Sequence, residues 1–586
     1  MSSKTYKEYN VHVADQFVES IDEAANTRYY LFASKHRDYT ESSTPAPSST
    51  ISNSVHQTYD EMLFGKLITS SDVSLGIVKR LWANNTVYAA YDDTAANLDA
   101  NNYFVYTSEG SDYHVWKCID NNGAANSNST PLFSDVSASL DTLYIKSATD
   151  GYQWKFMYTI PGATYDKFSS NTYIPVVSHA NAVSNAINGS IDAYVVSNSG
   201  NNYNEYVSGS VVSSTNTTVF KITSGTAPSG NNDFYNNCMI YFTGGVGNGE
   251  FKQITDYDGS TKTVTVNNAV SSAPDGTSTY EISPLVRIKG DGSNAAARAI
   301  INTSTNTISN VEILQRGAGY THADVTIEAN NMASANLAAA RAVIGPYGGH
   351  ASNPKEELNA QYIIISTSFA NNESSQIQTD NDLRTVGVIK DPHYANVMVT
   401  FEDQSANFTT GETVTLSTEN ASGVITFSNT TIMRLTNAVG NFVNSGNVTG
   451  VTSEATALVK GIRVNAEDDA RSNTSYFQQT AKYGHNLLSG NPFTEDETVT
   501  DTINNANAFV YASNSTVSSL TRVRGTFDIS NTDIVTGGGS SETVRFKSKI
   551  SPDLVRNSGS IILLKNIQSV SRSNTTTETI KLVFKF

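Results

Sequence analysis

Histidine and cysteine are the side chains that most often hold transition metals, so their spacing is the first guide to possible chemistry. Nine histidines are scattered from His12 to His485, without a His-x-His or His-Glu-x2-His pair. Cys118 and Cys238 lie far apart in strand-like surroundings, which predicts buried thiols rather than a disulfide framework. His350, in a glycine-rich loop, is the one to watch, and hydrogen bonding to the loop backbone explains it. The sequence predicts no metal site and no cofactor.

A glycine-rich segment, Gly244–Gly249, superficially resembles a dinucleotide-binding loop. Such a loop binds pyrophosphate through the N-terminus of the helix that follows it, and here strand-like residues flank the glycines on both sides. A β-hairpin loop is the favoured interpretation. The chain also contains no Gly-x-Ser-x-Gly nucleophile motif.

Paired carboxylates can cleave glycosidic bonds, but the required separation is spatial and cannot be read from sequence. Three pairs are candidates only because they are close in the chain: Asp92-Asp93, Asp256/Asp258 and Asp468-Asp469. The second is better explained as part of a hairpin turn, and the other two are typical of solvated loops. We therefore assign no catalytic residue and expect a protein that is not an enzyme.

The aromatic residues divide into two groups. Trp116 and Trp154 occupy predicted strands, where large rings usually fill a core. A second group lies among polar residues later in the chain, where tyrosine suits contact with sugars or proteins and is equally common on ordinary β surfaces: Tyr203, Tyr235, Tyr241 and Tyr280.

Composition limits the class of partner. The 586 residues carry a formal charge of −17, yet only 16% are charged, against a typical value of about 25%. The acidity therefore reflects scarce Lys and Arg, with none between Lys167 and Lys221. A dense basic face is needed for nonspecific nucleic-acid binding, and none is visible. We expect neither a nucleic-acid nor a membrane partner.

The N-terminal residues lack the apolar region of a secretory signal. The longest apolar runs, Tyr362–Ile365 and Ile561–Leu564, are too short to cross a bilayer. We expect a chain made in a cytosol.

The elements that must position these residues are mostly short strands. Helical periodicity is confined to 12–24 and 55–63, and proline at a first helical position predicts short helices from Pro354 and Pro552. Elsewhere β-branched runs alternate with Asn, Gly, Asp and Ser, and 255–266 predicts a hairpin turning at Asp258-Gly259. The fold class is mainly β and multi-domain, and the length suggests about four domains.

Internal repeats divide the second half of the chain. Phe408, Val414, Leu435, Gly440 and Phe442 recur 85 positions later as Phe493, Val499, Leu520, Gly525 and Phe527. This predicts related β modules between about 397 and 549. A weaker echo links Ile191, Gly200 and Tyr203 with Ile308, Gly317 and Tyr320, and predicts tight glycine corners before a strand.

Several ordered blocks carry a family resemblance. The most specific is Thr149-Asp-Gly-Tyr-Gln-Trp-Lys-Phe-Met-Tyr-Thr-Ile-Pro161, and the others lie at 28–35, 76–82, 113–120, 171–177, 345–358, 383–392, 551–564 and 581–586. Together they resemble the baseplate wedge protein eight family of T-even-type contractile-tail bacteriophages. The matching positions singled out are Trp82, Trp116, Cys118, Asp120, Asp150, Gly151, Tyr152, Trp154, Pro161, Gly349, His350, Pro392, Pro552 and Gly559.

The resemblance implies a structural virion protein of the tail baseplate. It implies a homodimer that docks onto other wedge subunits and acts in baseplate assembly and in the rearrangement at infection. It also implies a discontinuous β-sandwich or barrel-like core at 1–185, 341–396 and 550–586, the last part comprising a helix and strands. Two β-rich insertions, 186–340 and 397–549 (the latter with the repeated modules), have no counterpart in short family members.

A second hypothesis assigns function to the insertions. Their β modules resemble those of tail fibres and other surface proteins, so the chain could be an adhesin-like protein that binds fibres or host-surface glycans. A depolymerase is a third possibility, without motif support.

Overall fold

The computed structural model describes residues 7–22, 27–35, 51–92, 100–137, 145–203, 207–224, 227–328, 336–371, 377, 379, 381–392, 397–417, 421–439, 443–464, 476–550, 552–573 and 575–585. They form two compact units. Unit 1 takes its described residues from Met1–Ala14, Leu75–Tyr362 and Lys585–Phe586, and unit 2 from Asp15–Ser74 and Ile363–Phe584. Each unit joins stretches that are distant in sequence, so pairing between remote strands must hold it together.

Helices are few and short in the described residues. They are α1 Lys7–Asp22, α2 Ile51–Glu61, α3 Ser134–Ser137, α4 Gly162–Phe168, α5 Ala180–Ser184, α6 Pro354–Glu357 and a 3₁₀ turn, Ser70–Asp72. The first predicted helix is confirmed as α1. The second is α2, but it ends at Glu61, so Met62 and Leu63 begin a strand. The predicted start at Pro354 is confirmed, with the Glu356 N–H donating to the Asn353 side chain.

Strands make up most of the described chain, which confirms the mainly β, multi-domain class. Those before residue 300 are β1 Tyr29–Ser34, β2 Met62–Leu67, β3 Val73–Val78, β4 Phe104–Glu109, β5 Asp112–Asp120, β6 Ile145–Ser147, β7 Gln153–Ile160, β8 Tyr173–Pro175, β9 Ile191–Asn198, β10 Val207–Ser214, β11 Val219–Ser224, β12 Met239–Gly244, β13 Phe251–Asp258, β14 Thr263–Val266, β15 Thr279–Ser283, β16 Leu285–Gly290 and β17 Ser293–Asn302.

The later strands follow the same pattern of short runs and polar turns. They are β18 Thr307–Ala318, β19 Ala323–Glu328, β20 Ala339–Ile344, β21 Tyr362–Ala370, β22 Asn381–Lys390, β23 Val397–Glu402, β24 Thr413–Leu416, β25 Ala421–Ser428, β26 Ile432–Val439, β27 Asn447–Gly450, β28 Thr456–Val464, β29 Tyr476–Gln478, β30 Ala481–Leu487, β31 Thr498–Asp501, β32 Ala506–Ser513, β33 Val517–Arg524, β34 Val535–Gly537, β35 Thr543–Ile550, β36 Ser560–Arg572 and β37 Thr577–Lys585.

Unit 1 is centred on the antiparallel sheet β4-β5-β7-β6. β5 is buried on both faces from His114 to Asp120, because a second sheet covers it. That second sheet has the order β18-β17-β16-β19-β20-β9, and Ala193 and Val343 on its two paired strands pack with Ile119 of β5. The chain therefore leaves the core on β9 and returns beside it on β20.

Three closed six-stranded barrels occur in the described residues. The first, β10–β15, lies in unit 1 between β9 and β16, and the second and third, β23–β28 and β30–β35, lie in unit 2. The second and third have the same strand order around the ring, and the first has that order shifted by one strand along the chain. Closure leaves no unpaired edge on any barrel.

The repeat separated by 85 residues has a structural counterpart in the second and third barrels. Val414 and Val499 are fully buried on β24 and β31, and Leu435 and Leu520 on β26 and β33. Gly440 and Phe442 lie outside the described residues, so that part of the repeat stays a prediction.

One carboxylate ties the loops of each of these two barrels. Glu412 accepts hydrogen bonds from the backbone N–H groups of Thr409, Thr452 and Ser453 at 2.6 to 2.9 Å. In the third barrel Glu497 accepts the corresponding bonds from Thr494, Gly539 and Ser540 at 2.6 to 2.9 Å. Burial raises the pKa of each carboxyl, but these donors outweigh it and lower the pKa below its ordinary value.

The weaker echo also has a physical basis. Gly200 and Gly317 both adopt positive φ, +60° and +66°. A Cβ at either glycine would lie within 2.9 Å of a ring atom of the tyrosine three residues later, Tyr203 or Tyr320. The predicted glycine corners are therefore present, and each lets a buried tyrosine fold back over it.

Unit 2 contains the antiparallel sheet β29-β2-β1-β22-β36, in which every residue of β1 is buried. Phe32 on β1 pairs with Gly65 on one side and Gly387 on the other. A Cβ at Gly387 would lie 2.5 Å from the Phe32 ring, so only glycine leaves room for it.

The predicted helix starting at Pro552 is wrong. Residues 552–559 form turns and one isolated bridge, and Ser551 lies outside the described residues. The backbone here pairs with remote groups instead: the Asp553 N–H donates to the Gln478 carbonyl, and the Leu554 N–H donates to the Gln479 side chain. Leu554 itself forms the isolated bridge, so its backbone pairs as in a sheet and does not turn into a helix.

The two glutamates predict separable effects on their barrels. Glu412→Ala removes the shared acceptor of three partly buried backbone N–H groups, each bond contributing about 1 kcal/mol. We expect faster hydrogen exchange across 397–464 with 481–550 unchanged, and the reverse for Glu497→Ala, measured by mass spectrometry. Glu402→Ala is the matched control, because Glu402 forms a half-exposed pair with Lys460 and should have little effect. Equal acceleration in both barrels would contradict this assignment.

Candidate functional site

A buried lysine at the centre of unit 1 begins the site. In β5, Lys117 alternates with the core residues Trp116 and Cys118, and all three are fully buried. Since both faces of β5 are covered, an ammonium at this position has no access to water and needs a partner inside the protein. A lysine in the apolar run from Val115 to Ile119 was therefore a sequence signal for a buried counterion.

Glu357 supplies that counterion. Its Oε2 accepts from the Lys117 Nζ, and the two side chains are 3% and 0% exposed. Glu357 is the last residue of α6, and the Asn353 N–H donates to its other oxygen at 3.3 Å. The ring of Tyr91 lies 4.2 Å from the Lys117 ammonium, and the Tyr103 hydroxyl donates to the Glu357 carbonyl at 3.0 Å. The pair thus joins β5 to a loop 240 residues later.

His350 is buried between two carboxylates, and neither ring nitrogen has a hydrogen-bond partner among the described residues, which corrects the expectation that it bonds to the loop backbone. Its Nδ1 lies 3.9 Å from Glu357 Oε2, and its Nε2 lies 4.0 Å from Asp192 Oδ2. Gly349, with φ +93°, makes the turn that sends His350 inward, and a Cβ there would meet the Ile187 carbonyl at 2.5 Å. Burial, together with the Lys117 charge, lowers the pKa of His350, so the ring is neutral near pH 7.

The remaining charges come from the second sheet and from β7. Asp192 on β9 accepts from the Ser190 hydroxyl at 2.8 Å and from Arg316 Nη1 at 3.3 Å. Burial lowers the pKa of Lys155 to about 8, against the opposing attraction of Asp192. We call these six residues the junction network: Lys117, Lys155, Asp192, Arg316, His350 and Glu357. The network links β5 and β7 of the first sheet, β9 and β18 of the second sheet, the loop that carries His350, and α6.

An open groove lies beside the junction network. It has a volume of about 680 Å³, and its walls include Tyr91, Asp92, Arg341 and the 95%-exposed Tyr347. The six members of the network are not among its lining residues. Their charges therefore act on one another and on the packing of the elements, which is the chemistry of a structural junction.

A second network belongs to unit 2. Lys35, at the end of β1, places its ammonium 2.7 Å from Asp382, 2.6 Å from Glu495 and 3.1 Å from Asp496. Burial lowers the pKa of Lys35, but these carboxylates outweigh it and raise the pKa above its ordinary value. The third barrel is thus tied to β1 and β22.

The block from Asp150 to Trp154 organises a loop in unit 1. Asp150 accepts from the N–H groups of Asn128, Ser129 and Tyr152 at 2.7, 2.9 and 3.1 Å. It also accepts from the Ser127 hydroxyl at 3.1 Å, and that hydroxyl accepts from Trp82 Nε1 at 3.2 Å.

Gly151 and Tyr152 complete the same corner. Gly151 has φ +85°, and a Cβ there would lie 2.5 Å from the Asn122 side chain. The Tyr152 ring stacks on Trp154 with centroids 5.5 Å apart, and its hydroxyl donates to the Ala125 carbonyl at 2.6 Å. The core role predicted for Trp116 and Trp154 is confirmed by their complete burial.

The other singled-out positions also have local contacts. The Cys118 thiol donates to the Asp120 carbonyl at 3.4 Å, and burial raises its pKa well above the ordinary value. Burial also raises the pKa of Asp120. Cys238 is a buried thiol outside any disulfide, as predicted.

Three singled-out prolines and one glycine lie close to the ends of helices or strands. Pro161 precedes the first residue of α4, and Pro552 lines a pocket in unit 2. Gly559 has φ +73°, and a Cβ there would lie 2.8 Å from Pro392.

The structure describes both members of one of the three candidate carboxylate pairs, Asp256/Asp258. Asp258 Oδ1 accepts from the N–H groups of Ser260 and Thr261, which confirms the turn between β13 and β14; this loop spans 259–262 rather than two residues. Gly244–Gly249 likewise connects β12 to β13 as a hairpin loop. Asp93, Asp468 and Asp469 lie outside the described residues, and no group of His, Cys, Asp and Glu in the described part is placed to hold a metal ion.

The tyrosines suggested for ligand contact are mostly core residues. Tyr203, Tyr235 and Tyr280 are at most 1% exposed, which corrects the expectation that they lie on a polar surface. Tyr241 is half-buried beneath Arg298, whose guanidinium lies 4.1 Å from the ring centroid. Tyr280 is on β15, and closing a small barrel fills its interior with every second side chain of such a strand. Tyr203 and Tyr235 lie in connections between strands and pack into the same core.

Comparisons with protein-family models and with curated proteins give no match for this chain. No helix in the described ranges is long and apolar enough to cross a membrane.

The Lys117–Glu357 pair predicts a strongly non-additive cycle. Lys117→Met and Glu357→Leu should each destabilise unit 1 by about 3–5 kcal/mol, because each strands a buried charge. The double variant should cost much less than their sum. Trp82, Trp116 and Trp154 all lie in unit 1, so tryptophan fluorescence during urea unfolding reports on that unit. Lys146→Met, at a partly exposed pair with Asp135, is the control. Additive losses would contradict a direct coupling.

The same network predicts acid sensitivity. The folded-state pKa of His350 is below 6.5, so its contribution is lost as pH falls from about 6.5. Burial raises the pKa of Glu357, but Lys117 and His350 lower it to about 2, so that contribution is lost between 4.5 and about 2. His350→Gln should flatten the dependence of unit 1 unfolding on pH between 7 and 5, on the order of one proton, and leave the lower limb. An unchanged upper limb would contradict the assignment.

Proposed function

We propose that this chain is a structural subunit of the baseplate wedge in a contractile phage tail, where it acts by assembly rather than catalysis. The proposal rests on the resemblance of its ordered blocks to the wedge protein eight family. The observation that carries it is the Lys117–Glu357 pair, which joins the block at 113–120 to the block at 345–358 within one core. Blocks with a common origin in one fold are expected to pack on one another in this way.

The blocks in unit 2 support the same proposal. The blocks at 28–35, 383–392 and 551–564 contribute β1, β22 and β36, which are neighbours in one sheet. Lys35 is the last residue of the first block. It forms an ion pair with Asp382, the residue that immediately precedes the second block. The block at 551–564 includes Gly559, which packs on Pro392 of the second block.

The physical character of the chain suits an assembly role. Closed barrels give rigid modules without free strand edges, which limits unintended sheet pairing between copies. A surface with few charges permits large interfaces that depend little on salt. The proposal includes the core and insertion boundaries given above. It also includes a homodimer that docks onto other wedge subunits.

The alternative is that the insertions recognise fibres or glycans. Its sequence argument was a group of tyrosines expected on the surface, and most of them are buried. Three of the four rings suggested for such contacts are barrel or sheet core. We therefore favour an assembly role for both insertions.

Mass and location test the proposal together. We expect light scattering at micromolar concentration to give twice the 63.0 kDa chain mass. Antibodies against the purified chain should label the baseplate of intact virions. A strictly monomeric mass would count against the family assignment. Immunogold label confined to fibre tips would favour the adhesin alternative.

A further inference from the structure

A pocket of about 340 Å³ lies in unit 2 beside the third barrel. Its walls come from β33, from the neighbouring ends of β30 and β35, from α2 and from 552–556. One part of the wall is apolar, with Leu520, Val523, Leu554 and Val555. The rest is unusually basic for this acidic chain, with Arg522, Arg524, Lys549 and Arg556.

Around the pocket, fewer carboxylates than cations form ion pairs in the part of the chain that the structure describes. Asp60 binds both Arg524 and Arg556, each at 2.5 Å through a different oxygen. Glu61 binds Arg522 at 2.5 Å. Two carboxylates thus serve three guanidinium groups, whereas the whole chain has a formal charge of −17. The pocket is a positive site on a negative protein, which attracts anionic groups.

Lys549 adds a positive charge that takes no part in these ion pairs. Its ammonium lies 5.8 Å from the Tyr483 ring centroid, and no described carboxylate forms an ion pair with it. Burial lowers its pKa, the expected result for an ammonium that has lost water without gaining a counterion. The pairs with Asp60 and Glu61 have a structural explanation, since they attach α2 to the barrel, but that explanation does not reach Lys549.

The second barrel provides an internal comparison. Leu435 and Leu520 occupy equivalent places, paired with Val397 and Ala481. Counting along β26 and β33 from them, Arg522 and Arg524 correspond to Asn437 and Val439. On β35, which β30 separates from β33, Lys549 pairs with Tyr483 as Ile462 pairs with Val399.

This comparison shows that closure of the barrel does not by itself explain the cations. A barrel with the same strand order forms with Asn, Val and Ile at the three positions. The closed barrel therefore does not itself require Arg522, Arg524 and Lys549. The pairs with α2 account for the two arginines, and Lys549, which lines the same pocket without such a pair, points to something that binds there.

We propose that this pocket binds an acidic peptide segment of another protein, with a carboxylate held by Lys549 in the positive field of the pocket arginines and a neighbouring apolar side chain against the partly exposed Val523 and Val555. The apolar wall argues for a peptide, because inorganic phosphate would leave it uncovered. Arginine forks match carboxylates in geometry as well as in charge. The inference concerns the purified chain and does not depend on the proposed function.

Fluorescence anisotropy with the full-length chain tests it. The probe is a fluorescein-labelled peptide of four Glu-Leu repeats, and the matched peptide carries Gln in place of Glu. We expect saturable binding of the first that weakens as NaCl rises, and little binding of the second. Lys549→Ile and Arg524→Val, which introduce the residues of the second barrel, should each weaken binding by about tenfold.

A control on the same strand isolates the pocket. Lys547 is exposed, donates to Asn486 and does not line the pocket, so Lys547→Ile removes the same charge and should change affinity less than twofold. Arg556→Gln, outside the barrel, is a second pocket variant that does not disturb barrel strands. Thermal unfolding and hydrogen exchange across 481–550 check that each variant is folded.

Three results would overturn the proposal. They are no anisotropy change with the unaltered chain up to 1 mM, equal losses for Lys547→Ile and Lys549→Ile, and displacement of the Glu-Leu peptide by inorganic phosphate at equal concentration. The last would identify a simple anion site instead.

Discussion

The burial of Lys117 is the constraint on which unit 1 depends. Its strand is covered on both faces, so the ammonium must be neutralised by a group delivered from elsewhere in the chain. Glu357 meets this need only if Asn353 caps α6 and Gly349 turns His350 inward. A buried pair contributes less to net stability than to specificity, because any arrangement that separates the charges is costly. Lys35 imposes the same kind of constraint within unit 2.

The barrels solve a different problem with local means. Each closes six short strands into a ring, so that its own side chains fill its interior and no edge needs covering. In the second and third barrels a single glutamate gathers the N–H groups of two loops. Variation can then accumulate outside the ring, as the cations of the third barrel illustrate, without affecting closure.

Sequence patterns predicted the local features well. The helix at α1, the cap at Asn353, the hairpin after Asp258, the glycine corners and the core tryptophans all depend on a few neighbouring residues. The helix expected at Pro552 is absent, and the segment instead forms an isolated bridge at Leu554 and contacts Gln478 and Gln479, which are remote in sequence and invisible to a local pattern. Tyr280 was misjudged because polar neighbours describe the outer face of a barrel strand and not the side chain that points inward. Tyr203 and Tyr235 lie in connections between strands, and their rings pack into the core although their sequence neighbours are polar.

By itself, then, the sequence determined a mainly β chain with repeated modules, scarce positive charge and buried thiols, since these follow from composition, period and spacing. Only the tertiary structure decided which charges meet. It brought Lys117 to Glu357, Lys35 to Asp382, and three arginines and a lysine to one pocket wall. Coulomb energy depends on distance and on exclusion of water, and both are set by pairing between strands that are remote along the chain.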